Sequence, residues 1–321
     1  MTNGGFHPFT LSDLVNEALS EGVSLGEIAL RHECEFSGIS RLEAVRRMQA
    51  NLDVMRSAVQ QGLSGRLRSA GGLVGGDAAK VEEYKSRGLS GDHILSAASR
   101  ALAVSEVNAS MGLIVASPTA GSCGVIPGVL LTVAERVGAD DEATVMALFA
   151  AGAVGIVAAS RAGISGAEGG CQAECGVAAA MAAASAVQLA GGDPEAAAHA
   201  AAMSLKALLG LVCDPVAGLV EVPCVKRNAF SAAIAMIAAD MALAGVRSVI
   251  PPDEVIDAMG AVGRMLPVAL RETAEGGLAA TPTGKSLSAR ICHNLGDLSG
   301  ITIGREERGD SGKTREPEGL S

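Results

Sequence analysis

The chain has 321 residues and a formal net charge of −10, and 49% of its residues are hydrophobic although only 2% are aromatic. This length suits one large domain or two smaller ones. The negative charge argues against nucleic acid and anionic membrane surfaces as partners. Because Trp is absent and Tyr occurs once, the core must consist mainly of small aliphatic side chains, which predicts tightly apposed helices.

The chain start and the cysteine content indicate a cellular compartment. Residues 1–8 carry neither the basic segment nor the apolar segment of a secretory signal. We therefore expect the seven cysteines to be free thiols or metal ligands in a reducing cytoplasm. Two apolar runs, 145–160 and 229–246, are rich in Ala. They are predicted to be buried core helices, and a helical membrane or scaffold protein is the alternative.

Helix signals recur along the chain, whereas alternating strand patterns are almost absent. Residues 11–62 carry apolar side chains at helical spacing, with a capping box at Ser40-Arg-Leu-Glu43. The class is therefore predicted to be mostly or wholly α, as a compact bundle of Ala- and Gly-rich helices joined by glycine-rich loops. Further helices are predicted over about 93–110 with Asp92 as cap, from Asp140 to 160, from Asp193-Pro194 to about 211, and over about 228–244.

Two loops have the composition of binding loops. Residues 119–124, Thr-Ala-Gly-Ser-Cys-Gly, precede a helix whose first turn contains Pro127. Backbone N–H groups at such a helix start suit a carboxylate, and Thr119 and Ser122 add hydroxyl donors, although an ordinary capped turn is the alternative. The glycine-rich loop at 71–77 lacks the dinucleotide-binding pattern. It is either a flexible connection or a loop that lines a site.

Four cysteines, at positions 171, 175, 213 and 224, each lie within two residues of a glycine or proline. Thiolates select zinc, copper(I) or iron–sulfur clusters. The spacing is not CxxC, so a zinc ribbon is a poor fit. The alternative is that these cysteines are buried small hydrophobes. Cys171 and Cys175 are four residues apart and would share one face of a helix.

Several motifs in fixed order resemble those of iron–sulfur-dependent L-serine dehydratase (L-serine ammonia-lyase), in particular the α chain of its two-subunit form. The resemblance covers roughly residues 10–290. The motifs are Ser117-Pro-Thr-Ala-Gly-Ser-Cys-Gly124, Gly170-Cys-Gln-Ala-Glu174, Cys213-Asp-Pro-Val216 and Val222-Pro-Cys224, with support from Gly72–Asp77, Val107–Gly112, Gly276–Ala279 and Thr281–Gly284.

The resemblance implies conversion of L-serine to pyruvate and ammonia without pyridoxal phosphate, in amino-acid catabolism and gluconeogenesis. It implies a [4Fe–4S] cluster as cofactor, which would act as a Lewis acid on the substrate hydroxyl. The implied ligands are Cys171, Cys213 and Cys224. Cys175 lies where single-chain relatives commonly have Val, so a packed thiol is favoured over a fourth ligand. The candidate substrate-binding residues are Asn108, Thr119, Gly121 and Ser122.

The resemblance also implies a β chain as partner, because this chain has no segment similar to the separate domain of that subunit. The five histidines form no diagnostic arrangement, so no catalytic base is assigned, and the partner chain is one possible source. Residues 1–301 are predicted to form a single helical catalytic domain around the iron–sulfur site. Residues 302–321 are predicted to be a disordered charged tail.

Two alternative functions remain open from the sequence. A four-cysteine iron–sulfur or zinc protein would use Cys175 as the fourth ligand in a structural or electron-transfer role. A related amino-acid lyase would act on threonine or cysteine instead of serine.

Overall fold

The computed structural model describes residues 10–298 and consists of helices joined by short loops. No strand occurs among those residues, apart from an isolated bridge between Cys213 and Arg271. The predicted all-α class is thereby confirmed. The helices are α1 Leu11–Glu21, α2 Leu25–Ser37, α3 Arg41–Leu63, α4 Asp77–Tyr84, α5 Asp92–Ala109, α6 Val125–Val137, α7 Asp141–Arg161, α8 Gly166–Gly169, α9 Val177–Leu189, α10 Pro194–Ala207, α11 Cys224–Leu243, α12 Pro252–Met265 and α13 Pro282–Leu298.

Helix α9 is the centre of the bundle. Every residue from Val177 to Val187 is buried, and α9 contacts α6, α7, α10 and α11. A helix that is apolar on all sides is stable only when other helices surround it. The many alanines of α9 let these neighbours approach closely, as the low aromatic content predicts.

Most of the predicted helix starts are confirmed. The side chains of Ser40, Asp140 and Asp193 accept hydrogen bonds from the backbone of their first turns. The prediction for Asp92 is wrong, because Gly91 is the cap residue of α5 and no side chain caps that helix. Asp92 is instead the first helical residue, where the positive end of the helix dipole stabilises its carboxylate.

Two predicted helix boundaries near the cysteines are wrong. Helix α10 ends at Ala207 rather than 211, because the chain turns at Gly210, whose φ is +82°. The Gly210 amide donates to the Gln172 side chain over 2.8 Å. Helix α11 begins at Cys224 rather than 228, since the Val225 amide already bonds to the Glu221 carbonyl. Cys224 therefore lies on a helix and not in a loop.

The two apolar runs have different environments. The run at 145–160 lies in α7, the one helix within residues 10–298 that is long and apolar enough to cross a membrane. Of its most apolar stretch, 67% is buried against other helices. The run at 229–246 lies mostly in α11, where Phe230, Ile237 and Met241 are exposed, so this run is buried on one side only. The single domain over 1–301 stays a prediction, and the tail at 302–321 lies outside the described residues.

Replacing Gly62 by alanine is expected to destabilise the fold. A Cβ atom at Gly62 in α3 would lie 2.2 Å from the carbonyl oxygen of Ala103 in α5, so the two helices would have to separate. Overpacking of this kind typically costs about 1–3 kcal/mol. The matched control is Gly152→Ala in α7, where no atom lies within 4 Å of the added Cβ, and which is expected to stabilise by about 0.5–1 kcal/mol. Urea unfolding of both variants measures the difference, and equal effects of the two substitutions would contradict the close approach.

Candidate active site

Cys171 and Cys175 lie just before the N-terminus of the central helix, α9. Residues Gln172–Gly176 form one turn of π-helix directly before α9, and such turns occur frequently at functional sites. The two sulfur atoms are 3.6 Å apart, so the predicted shared face is confirmed. Both thiols are buried.

Cys213 and Cys224 come from two further segments. The Cys213 amide donates to the Leu270 carbonyl over 2.9 Å, and its carbonyl accepts from the Glu272 amide over 2.8 Å. This pairing fixes Cys213 in an extended conformation against Cys171 and Cys175, with which it forms one buried cluster. Cys224, the first residue of α11, is also buried. No three His, Cys, Asp or Glu side chains between residues 10 and 298 converge as a single bound metal ion requires.

The four thiols differ in their ionisation. Hydrogen bonds from Cys175 and Cys213 hold the pKa of the Cys171 thiol well below its usual range, with help from the Arg227 guanidinium. The same hydrogen bonds and burial raise the pKa of the Cys175 and Cys213 thiols. Burial raises the pKa of Cys224 to about 12. The arrangement therefore favours one thiolate, on Cys171, with protonated thiols around it.

Glu174 is a site residue that the sequence reasoning did not assign. One carboxylate oxygen accepts from the Thr119 hydroxyl over 2.7 Å, and the other lies 4.0 Å from the Cys213 sulfur. Burial raises the pKa of Glu174 to about 7, although the Thr119 hydrogen bond lowers it. A Cβ at Gly166 would lie 2.5 Å from one carboxylate oxygen, and one at Gly121 3.0 Å from the other. The available signal was a lone acidic residue between two cysteines.

The loop at 119–124 lies over this carboxylate. The Asn108 side chain donates to the Ala120 carbonyl over 3.0 Å, and the fully buried Ser122 hydroxyl lies 3.3 Å from that of Thr119. The amides of Ala120 and Gly121 make no hydrogen bond within residues 10–298. The structure thus brings Asn108, Thr119, Gly121 and Ser122 together with Glu174.

Asn228 is a second residue that the sequence reasoning missed. Its buried side chain accepts from the Gly124 amide over 2.9 Å and donates to the Gly121 carbonyl over 2.8 Å. It also donates to the carbonyl of Cys224 over 3.0 Å. The side-chain amide of Asn228 therefore connects both ends of the 121–124 segment to the helix turn that carries Cys224. Nothing in the local sequence pattern indicates this role.

The glycine-rich loop at 71–77 is held by two buried carboxylates rather than left as a loose connection. Glu221 accepts from the amides of Gly71 and Leu73 over 2.5 and 3.1 Å. Glu106 accepts from the amides of Gly76, Asp77 and Ala78 over 2.7–3.2 Å. Because these contacts occupy the amides of Gly71, Leu73, Gly76 and Asp77, those four amides are not available to a ligand.

A comparison with protein families identifies the chain. The family model for the serine dehydratase alpha chain matches residues 20–279, which is well over half of the chain. The chain belongs to the serine dehydratase alpha chain family. The predicted resemblance is confirmed, and the matched range includes the four cysteines and the loop at 119–124.

Two relatives of this alpha chain carry the same subunit in their names. This chain is 53% identical over 283 residues to the probable L-serine dehydratase, alpha chain, of Bacillus subtilis (strain 168), and the match covers 88% of this chain and 94% of that protein. It is 41% identical over 280 residues to the L-serine dehydratase, alpha chain, of Peptoniphilus asaccharolyticus, with 87% and 96% covered. L-serine dehydratase 1 of Escherichia coli (strain K12) is 44% identical over 181 residues, which are 56% of this chain and 40% of that protein.

Proposed function

We propose that this alpha chain deaminates L-serine to pyruvate and ammonia in a complex with a β chain. The carrying observation is the cluster of three buried thiols, Cys171, Cys175 and Cys213, beside the Glu174 carboxylate and the loop at 119–124, with Cys224 buried at the start of α11. Family membership supports serine as the substrate. Since the thiols are free, a reducing compartment such as the cytoplasm is proposed for the chain.

Cys171, Cys213 and Cys224 are proposed to hold a [4Fe–4S] cluster. The donor set supports this cofactor, because thiolates in such a cluster each bind a different iron and need not converge on one ion as zinc ligands do. A ligand must be deprotonated. Cys171 is already favoured as a thiolate, whereas Cys213 and Cys224, whose pKa values are raised, would release their protons when the cluster binds. With these three thiols as its ligands, a bound cluster would have one iron without a protein ligand and would supply a Lewis acid for the serine hydroxyl.

The loop at 119–124 is proposed to bind the rest of the substrate. The unbonded amides of Ala120 and Gly121, close to the start of α6, suit the carboxylate of serine. A hydroxyl has a single proton, and Thr119 donates its proton to Glu174. The Thr119 oxygen and the Glu174 carboxylate are therefore acceptors, which suit the substrate ammonium group rather than its carboxylate. Asn108 and Asn228 fix the loop in this position.

Replacing Thr119 by valine is expected to raise the KM for L-serine about tenfold or more. The substitution keeps the shape of the side chain but removes the acceptor oxygen and leaves the Glu174 carboxyl without its partner, and each such loss typically costs about 1–3 kcal/mol. Thr119→Ser, which retains the hydroxyl, is the control and is expected to stay within about threefold of the parent. Steady-state pyruvate formation by complexes with equal iron content measures both variants. An unchanged KM in the valine variant would contradict the role of Thr119.

The proposed function is tested by Mössbauer spectroscopy of the iron-57-loaded complex, with and without L-serine. If one iron site of the cluster changes its spectrum when serine is added, the substrate binds at an open iron. A cluster in which no iron responds to serine would contradict the proposed mechanism. Threonine and cysteine as additives, in the same experiment, separate serine specificity from a broader amino-acid lyase activity.

A second candidate function follows from the 3.6 Å distance between the sulfurs of Cys171 and Cys175. If Cys175 were a fourth ligand, the cluster would be saturated and would suit electron transfer or a structural role. In that case Cys175→Ala would lose the bound metal. Retention of the metal in Cys175→Ala excludes this alternative.

A further inference from the structure

Arg227 lies on the same turn of α11 as the proposed ligand Cys224. The two residues are three positions apart in the first turn of the helix, so their side chains emerge from neighbouring positions on one side of it. The sequence motifs do not include Arg227. Its side chain is largely buried, at 16% exposure, which is unusual for an arginine unless it is paired.

The Arg227 guanidinium binds both neighbours of Cys213. One nitrogen donates to the Val212 carbonyl over 2.8 Å, and another lies 2.9 Å from a carboxylate oxygen of Asp214. Asp214 is buried and is held in turn by the Leu278 amide, which donates to it over 2.7 Å. A planar guanidinium offers two separate nitrogens in a fixed arrangement for these contacts, whereas a lysine ammonium is a single flexible point charge.

The segment that Arg227 holds is bonded in turn to the segment of the third proposed ligand. The Gln172 amide donates to the Leu211 carbonyl over 3.0 Å, and Cys171 and Cys213 lie in one buried cluster. Arg227 thus contacts the Cys213 segment, lies on the helix turn of Cys224 and is connected to Cys171 through the Cys213 segment. Residues just outside a metal site commonly fix its ligands in this way.

We propose that Arg227, through its ion pair with Asp214, is the positioning residue that holds Cys171, Cys213 and Cys224 in the arrangement that receives the cofactor. The identity of that cofactor rests on the proposed function. The arrangement of the thiols does not, because it is a property of the metal-free polypeptide. Arg227 acts on the ligands and is not assigned a contact with the substrate.

The test compares Arg227→Gln and Arg227→Lys with Lys226→Met, all purified anaerobically in complex with the β chain. Lys226 is an exposed neighbour whose ammonium binds Asp77 over 2.6 Å, so its replacement controls for the loss of a charge on this helix turn. We expect both Arg227 variants to retain less than about a fifth of the parent iron content, while Lys226→Met keeps it. We do not expect Arg227→Lys to restore the iron content, because lysine lacks the planar, forked guanidinium group. Parent-like iron in Arg227→Gln overturns the proposal.

A second measurement needs no cofactor. The metal-free chain is treated with iodoacetamide, and the alkylation of each cysteine is followed by peptide mass spectrometry. In Arg227→Gln we expect Cys171, Cys213 and Cys224 to react about tenfold faster than in the parent. Cys123, which is buried in a different cluster, is the internal control for global unfolding and keeps its rate. Unchanged rates at the three thiols would refute the positioning role. If the parent complex itself contained no iron, the proposed function would be refuted. The alkylation rates would then still decide the role of Arg227.

Discussion

Replacing Cys171 by serine is expected to abolish both iron binding and serine deamination. Cys171 is the thiol whose surroundings most favour the thiolate, because it accepts from Cys175 and Cys213. A serine hydroxyl is a hard and weakly acidic group that replaces a soft thiolate poorly. A metal Lewis acid contributes several kcal/mol to such a reaction, which corresponds to about 10³-fold in rate. Iron content and pyruvate formation by the complex measure the two effects.

Cys175→Ala is the matched control for this prediction. Its thiol is as deeply buried as that of Cys171 and lies 3.6 Å from it, so both substitutions disturb the same part of the core. We expect Cys175→Ala to keep its iron and to retain activity within about tenfold, since it removes only a neighbour of the ligand. Near-normal activity in Cys171→Ser, or loss of iron in Cys175→Ala, would show that the ligands are assigned wrongly.

The alpha chain alone is expected to turn over serine at least about 100-fold more slowly than its complex with the β chain. The relatives that match it along nearly their whole length are named as alpha chains. The match to the E. coli relative covers 40% of that protein. A missing general acid or base alone typically costs 10²–10⁴-fold. Pyruvate formation by the alpha chain, the β chain and their mixture measures the dependence.

The control for this second prediction is the iron content of the isolated alpha chain. The proposed ligands all belong to this chain, so the isolated subunit is expected to bind iron as well as the complex does. Activity should then rise with added β chain until the two subunits are equimolar. Full turnover by the purified alpha chain alone would refute the partner requirement, whatever its iron content.

The helices show what can be predicted from local sequence. Ser40, Asp140 and Asp193 cap their helices as predicted, because a cap bonds to the backbone three residues ahead. The low aromatic content and the Ala-rich segments predicted the all-α class and its tightly packed centre. Local patterns did not predict that α11 begins at Cys224. That boundary depends on packing against elements that are distant in the sequence.

The sequence by itself determined the helical class, most helix starts, the family resemblance and the short list of cysteines, since each depends on residue types at fixed spacing. Only the tertiary structure decided the site. The Thr119 hydroxyl meets Glu174, 55 positions away, and Asn228 bonds to Gly121, 107 positions away. Arg227 connects the Cys213 segment to α11 in the same manner. Such contacts depend on how the helices pack around α9, and no periodic pattern along the chain records that packing.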